Sequence, residues 1–177
     1  MNAENNVKPG GGAPQVGIVM GSDSDLDIMN EAAAILKKFN IPYEMTVASA
    51  HRSPQRAAEF AGSALKRGLK VIIAGAGHAA HLAGVLAAHT SLPVIGVPID
   101  SSCLQGLDAL LATVQMPPGI PVATMAIGKP GARNAGILAA QIIATGDLEL
   151  STRLENFKHE MARQVEEKAK RVEASQM

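Results

Sequence analysis

Apolar residues in this chain fall into short unbroken runs, and between the runs they recur at helical spacing. Val16-Gly17-Ile18-Val19-Met20, Lys70-Val71-Ile72-Ile73-Ala74 and Pro93-Val94-Ile95-Gly96-Val97-Pro98 carry apolar residues without alternation, the pattern of parallel strands covered on both faces. Tyr43 to Ala48 and Val122 to Ile127 read as two further strands. Between them, Leu26, Met29, Ala33, Leu36 and Phe39 mark a first helix. Pro54 to Arg67 forms a second, opened by a proline suited to a first turn and closed by Gly68. An alanine-rich helix follows Gly84, another runs from about Gly106 to Val114, and a third begins near Gly131 and buries a small, aliphatic face through Ile143. After Asp147, which looks like a cap, an amphipathic segment extends from Leu148 toward Val172. Its charged later part suits a solvated helix or an arm on a neighbouring subunit.

Strands alternating with helices predict an α/β fold: a three-layer, doubly wound, parallel five-stranded sheet with a C-terminal helical extension. The expected divisions are a mobile tail over residues 1–14, an α/β catalytic domain over 15–146, and a C-terminal helix and tail over 147–177. The tail holds three consecutive glycines and two prolines with no hydrophobic period, so it has nothing to bury.

Composition narrows the partners. At 177 residues the chain is most simply one globular domain, and 16 basic residues balance 16 acidic ones. No basic surplus argues for nucleic acid or an anionic membrane surface. A single cysteine, Cys103, excludes an intrachain disulfide, and with no signal-peptide pattern and no bilayer-length apolar run a cytoplasmic setting is expected. With no Trp, one Tyr and three Phe, few rings are available to stack on a flavin.

The polar and glycine-rich chemistry follows the first three strands. Gly21-Ser22-Asp23-Ser24-Asp25 offers hydroxyls and carboxylates at a helix start. Ser24 or Asp23 can serve as an N-cap, or the loop can hold a phosphate on hydroxyls and helix N–H groups while a carboxylate accepts from ribose. It matches neither the dinucleotide fingerprint nor the nucleotide P-loop. Ser49-Ala50-His51-Arg52-Ser53-Pro54 sets a titratable imidazole beside an anion-binding guanidinium. Gly75-Ala76-Gly77-His78-Ala79-Ala80-His81-Leu82 reads as a glycine-rich turn into a helix, with His81 lining a cleft and His78 lining it or solvated. His78 and His81 are spaced to share a helical face, but they lack the Glu and the i, i+4 spacing of zinc peptidases and no third ligand is evident, so no metal is expected. If the strand order is 2-1-3-4-5, these loops converge at one edge of the sheet.

Taken together, these three stretches and Val114-Gln115-Met116-Pro117 resemble the N5-carboxyaminoimidazole ribonucleotide mutase family, the catalytic subunit of the phosphoribosylaminoimidazole carboxylase of purine synthesis (PurE family, class I). The resemblance runs from about Val16 to Leu154. It implies a flavodoxin-like subunit in a homo-octamer, no metal or organic cofactor, and an isomerisation of N5-carboxyaminoimidazole ribonucleotide to 4-carboxy-5-aminoimidazole ribonucleotide on the route to IMP. It further implies that His51 is the proton carrier. Substrate binding would fall to Ser22, Ser24, Asp25, Ser49, Arg52, Ala76, Gly77, His81 and Leu82, with a transient handover from the carbamate-forming synthetase. Two positions depart from the family pattern: His78 stands where a glycine is usual and Ala83 where a proline is usual. The competing functions are direct carboxylation of aminoimidazole ribonucleotide by CO2 and a non-catalytic nucleotide-binding module on the same fold.

Overall fold

The computed structural model describes residues 12–176. Most of the expected N-terminal tail, through residue 11, lies outside the described residues. The elements follow in the order β1 (Val16–Met20), α1 (Leu26–Lys38), β2 (Tyr43–Val47), α2 (Pro54–Ala64), β3 (Val71–Gly77), α3 (Leu82–Ala88), β4 (Val94–Ile99), α4 (Leu107–Val114), β5 (Ala123–Thr124), α5 (Gly128–Ala144) and α6 (Leu148–Ala174). A single 3-10 turn, Asp23–Asp25, precedes α1, and another, Leu65–Arg67, prolongs α2. The strands make one five-stranded sheet in the order β2-β1-β3-β4-β5, every pair parallel. This is the doubly wound, flavodoxin-like arrangement, and β1 and β3 adjoin at its centre with Val16 opposite Val71.

Helices cover both faces of the sheet. On one, Val19, Ile72 and Ala74 pack with Ala57, Ala61 and Ala64 of α2 and Leu82, Ala83 and Leu86 of α3. Each large aliphatic side chain buried there contributes about 1.5–3 kcal/mol. The small residues matter as much, because they let the layers approach. A Cβ on Gly17 would stand 2.8 Å from the Phe60 ring carbon Cζ, so a larger residue at this strand position would push the Phe60 ring away. On the other face α1 lies against β3, with Met29 where a side chain on Gly75 would otherwise go. There Lys129 and Arg133 of α5 form ion pairs with Asp27 and Glu31 of α1 at 2.7 and 2.6 Å.

Three boundaries differ from the sequence reading. The glycine-rich stretch is not a turn at first: β3 continues through Gly77, pairing with β4 up to Gly77 opposite Ile99. Small residues do not end a strand whose ladder partner continues. The fifth strand is only Ala123–Thr124 rather than Val122 to Ile127. It is an edge strand that pairs with β4 only at Ala123 and Thr124, and Pro121, which has no N–H for a ladder, stands just before it. The α5 helix starts at Gly128, three residues before the expected start at Gly131.

The chain separates into two compact units, with the boundary after Ala139, inside α5. In the second unit α6 is 27 residues long, about 40 Å at the usual rise. Asp147 caps it, accepting from the Leu150 N–H at 3.0 Å. Leu150 and Leu154 are buried, whereas every residue from Met161 to Gln176 is exposed.

Candidate active site

Because β2, β1 and β3 are neighbours, the loops leaving their carboxyl ends lie side by side. They line one cleft of roughly 670 Å3. Ser22, Ser24, Asp25, Ser49, His51, Arg52, Ala76, Gly77, His81 and Leu82 all border it, so the fold gathers every residue that the sequence nominated for the site.

The first loop is built by reciprocal capping. The Ser24 N–H donates to Ser22 Oγ at 3.4 Å, and the Ser22 N–H donates to Asp25 Oδ2 at 3.2 Å. The cap is therefore Ser22, not Ser24 or Asp23 as the sequence suggested, because the 3-10 turn starts ahead of α1. Ser24 is left to donate its hydroxyl to Asp25 Oδ1 at 3.4 Å. Asp25 is 5% exposed. Burial pushes its pKa above the ordinary carboxylate value, and the bonds from the Ser22 N–H and the Ser24 hydroxyl partly pull it back.

The second loop is tied to itself. Ser53 Oγ accepts from the Ser49 N–H at 2.9 Å, and Ser49 Oγ accepts from the Arg52 N–H at 3.1 Å. These bonds leave the His51 and Arg52 side chains exposed at the cleft. Arg52 donates from Nη2 to the Gly21 carbonyl at 3.3 Å, which joins the second loop to the first. Arg56, one turn later, is committed elsewhere, to Val47 O and Thr46 Oγ1 at 2.8 and 2.9 Å. Two arginines close in sequence thus have different tasks.

The third loop brings His81 to His51. Nε2 of His51 and Nδ1 of His81 are 2.9 Å apart, with the rings edge to face at 73°. One of these nitrogens carries the proton and the other accepts it, so the contact couples the two tautomers and leaves the second nitrogen of His51 for a reacting group. His81 sits just ahead of α3 as its N-cap residue, and His78 lies outside any helix, so the two do not share a helical face. Among the described residues no group of three His, Cys, Asp or Glu side chains is arranged to hold a metal ion.

Gly21, Ala50, His78, Ala79 and Ser101 complete the lining. Ser101 is the residue that sequence reasoning missed. It comes from the loop after β4, and β4 adjoins β3, so the expected strand order already implied that its loop would border the third one. Ser101 also explains Gly77, where a Cβ would collide with the Ser101 side chain and stand 3.2 Å from the Ile99 carbonyl.

Residues 15–164 match the family described as AIR carboxylase. The chain is 58% identical over 160 residues to the N5-carboxyaminoimidazole ribonucleotide mutase of Pyrococcus horikoshii, covering 90% of this chain and 89% of that one. It is 55% identical over 161 residues to the phosphoribosylaminoimidazole carboxylase of Schizosaccharomyces pombe, covering 91% of this chain but 29% of that longer protein. Among solved structures, Treponema denticola PurE superposes with a TM-score of 0.78 at 29% identity, covering 87% of this chain and 95% of that one. A family match across most of the length, joined to relatives at more than half identity, means that this chain belongs to the AIR carboxylase family.

Proposed function

We propose that the protein is an isomerase of purine biosynthesis, converting N5-carboxyaminoimidazole ribonucleotide to 4-carboxy-5-aminoimidazole ribonucleotide in this cleft. The observation that carries the reading is the 2.9 Å contact between His51 and His81 beside Arg52. A carbamate loses CO2 once its nitrogen is protonated: the C–N bond breaks and its electron pair stays on nitrogen. The nucleophilic ring carbon then attacks the released CO2 and forms a C–C bond. Loss of the proton on that carbon restores aromaticity. His51 gives the first proton and takes the second, so no proton is gained or lost overall.

The remaining residues bind and exclude. Arg52 suits the phosphate, since most of its planar donor fork remains available beyond one bond to Gly21 O. Ser22, Ser24 and Ser49 supply hydroxyls near it. Asp25, held by Ser22 and Ser24, accepts from ribose hydroxyls. Ala76, Gly77 and Leu82 enclose the migrating carboxyl group and keep water from it.

Assembly as a homo-octamer follows from the same reading. In the single chain Leu104, Leu107, Leu111 and Val114 are 57, 52, 49 and 47% exposed, an apolar row that a neighbouring copy would cover. The outer part of α6, within the expected helix-and-tail region 147–177, is assigned to the same assembly. A cytoplasmic location agrees with the free, exposed thiol of Cys103. A transient handover from the carbamate-forming synthetase would spare an unstable substrate. No helix among the described residues is long and apolar enough to cross a membrane.

The name of the S. pombe relative favours a second reading, carboxylation of aminoimidazole ribonucleotide by CO2. Turnover of the carbamate is to be compared with turnover of aminoimidazole ribonucleotide plus bicarbonate. Preference for the carbamate is expected, and preference for the other pair overturns the isomerase assignment.

A further inference from the structure

We infer that His78 is a substrate-binding residue for the carboxylate of the nucleotide, and that Ser101 is the positioning residue that orients it. The inference deepens the function proposed above and rests on it. His78 lies between the end of β3 at Gly77 and the start of α3 at Leu82, it lines the cleft, and its φ is +53°. Residues with a Cβ are disfavoured in this left-handed region, and such conformations persist where surrounding contacts over-determine them. The contact present here is the one between His78 Nδ1 and Ser101 Oγ at 3.1 Å, which ties the loop after β3 to the loop after β4.

That contact is compatible with a tautomer that leaves a donor free on the ring. When the Ser101 hydroxyl donates, Nδ1 is the acceptor and the neutral ring carries its proton on Nε2. In that tautomer Nε2, which makes no hydrogen bond to the protein among the described residues, is a donor on the wall of the cleft. Its placement indicates what it meets. Arg52 reaches back to the first loop through Gly21 O, at the end assigned to phosphate. His78 shares its loop with His81, which holds the proton-carrying His51. A donor on that loop borders the same cleft as His51 and His81, and the inference assigns it to the carboxylate of the product.

Calorimetric titration of the full-length protein with 4-carboxy-5-aminoimidazole ribonucleotide, and separately with aminoimidazole ribonucleotide, tests this. The two ligands share phosphate and ribose and differ in the carboxylate. His78→Ala is expected to weaken the carboxylated nucleotide about fivefold to tenfold, the range of one exposed hydrogen bond to an anion, and to leave the other within about twofold. Ser101→Ala should cause a loss in the same sense, about threefold, because the ring stays but loses its orientation. His78→Asn should recover most of the affinity, since asparagine tolerates the left-handed region and keeps an amide donor. His78→Gly relieves the strained backbone, so its melting temperature should hold or rise while the preference for the carboxylate is lost. Equal weakening of both nucleotides assigns His78 to the phosphate and overturns the inference, as does unchanged binding in His78→Ala. Wild-type protein that binds neither nucleotide overturns the proposed function itself, a result distinct from either.

Discussion

The loops after β1, β2 and β3 and the segment after β4 leave the same sheet but expose opposite chemistry. The first three present hydroxyls, imidazoles, a guanidinium and glycines around a concavity. Past Ser101, the fourth presents Leu104 and then Leu107, Leu111 and Val114 along α4, each about half exposed. Exposed polar residues need no explanation, because water satisfies them. It is their convergence, with His51 and His81 thirty positions apart in the chain and in contact, that marks a site. A row of half-exposed leucines does call for one, since covering the remaining half of each side chain would gain about 1 kcal/mol. One region is a polar concavity of a size to take a small molecule, and the other is an apolar row that the proposed assembly would cover.

The contrast predicts effects of very different size. The largest belongs to the cleft: His51→Asn removes the proposed proton carrier, and turnover of the carbamate should fall roughly 100- to 10,000-fold. Binding of the product nucleotide, measured by calorimetry, should survive, and near-normal turnover would remove His51 from its role. The next belongs to the leucine row. Replacing Leu107 and Leu111 together by Glu should dissociate the assembly, read by light scattering, while circular dichroism stays that of the folded chain. An unchanged particle mass would show that this face is not buried between subunits.

The smallest effect lies at the floor of the cleft. Burial raises the pKa of Asp25 in the folded protein above its ordinary value of 3.8. The folded chain therefore holds this proton more tightly than the unfolded one does. The associated stability is complete below about pH 3.8 and is lost as pH rises through the folded-state value. Asp25→Asn removes that loss and keeps an oxygen for the Ser22 N–H. The variant should gain in urea midpoint over wild type, more at pH 8 than at pH 4, and a gain confined to acid would refute the sign. Ribose recognition should weaken in the same variant, so the cleft is stabilised at the expense of its function.

Much of the architecture was legible in the chain because its causes are local. An unbroken apolar run such as Val16 to Met20 can only be a doubly covered strand or a core segment, and its length excludes most helices. Pro54 and Gly68 bound a helical stretch through their own backbone preferences, and Asp147 caps α6 by reaching its own third neighbour. Where a boundary shifted, as at β3 and β5, the deciding influence came from the adjoining strand or from missing N–H groups.

Strand order alone implied that the candidate residues share an edge, yet it carried no information on which atoms meet. The 2.9 Å link between two imidazoles, the reach of Arg52 to Gly21 O, and the contact between Ser101 and the left-handed His78 each join residues 23 to 31 positions apart. Hydrophobic period and turn propensity act over a few residues and are blind to such pairs. Their geometry exists only once three parallel crossovers have set β2, β1, β3 and β4 side by side. Thus the ingredients of the site belong to the chain, and their contacts belong to the packed sheet.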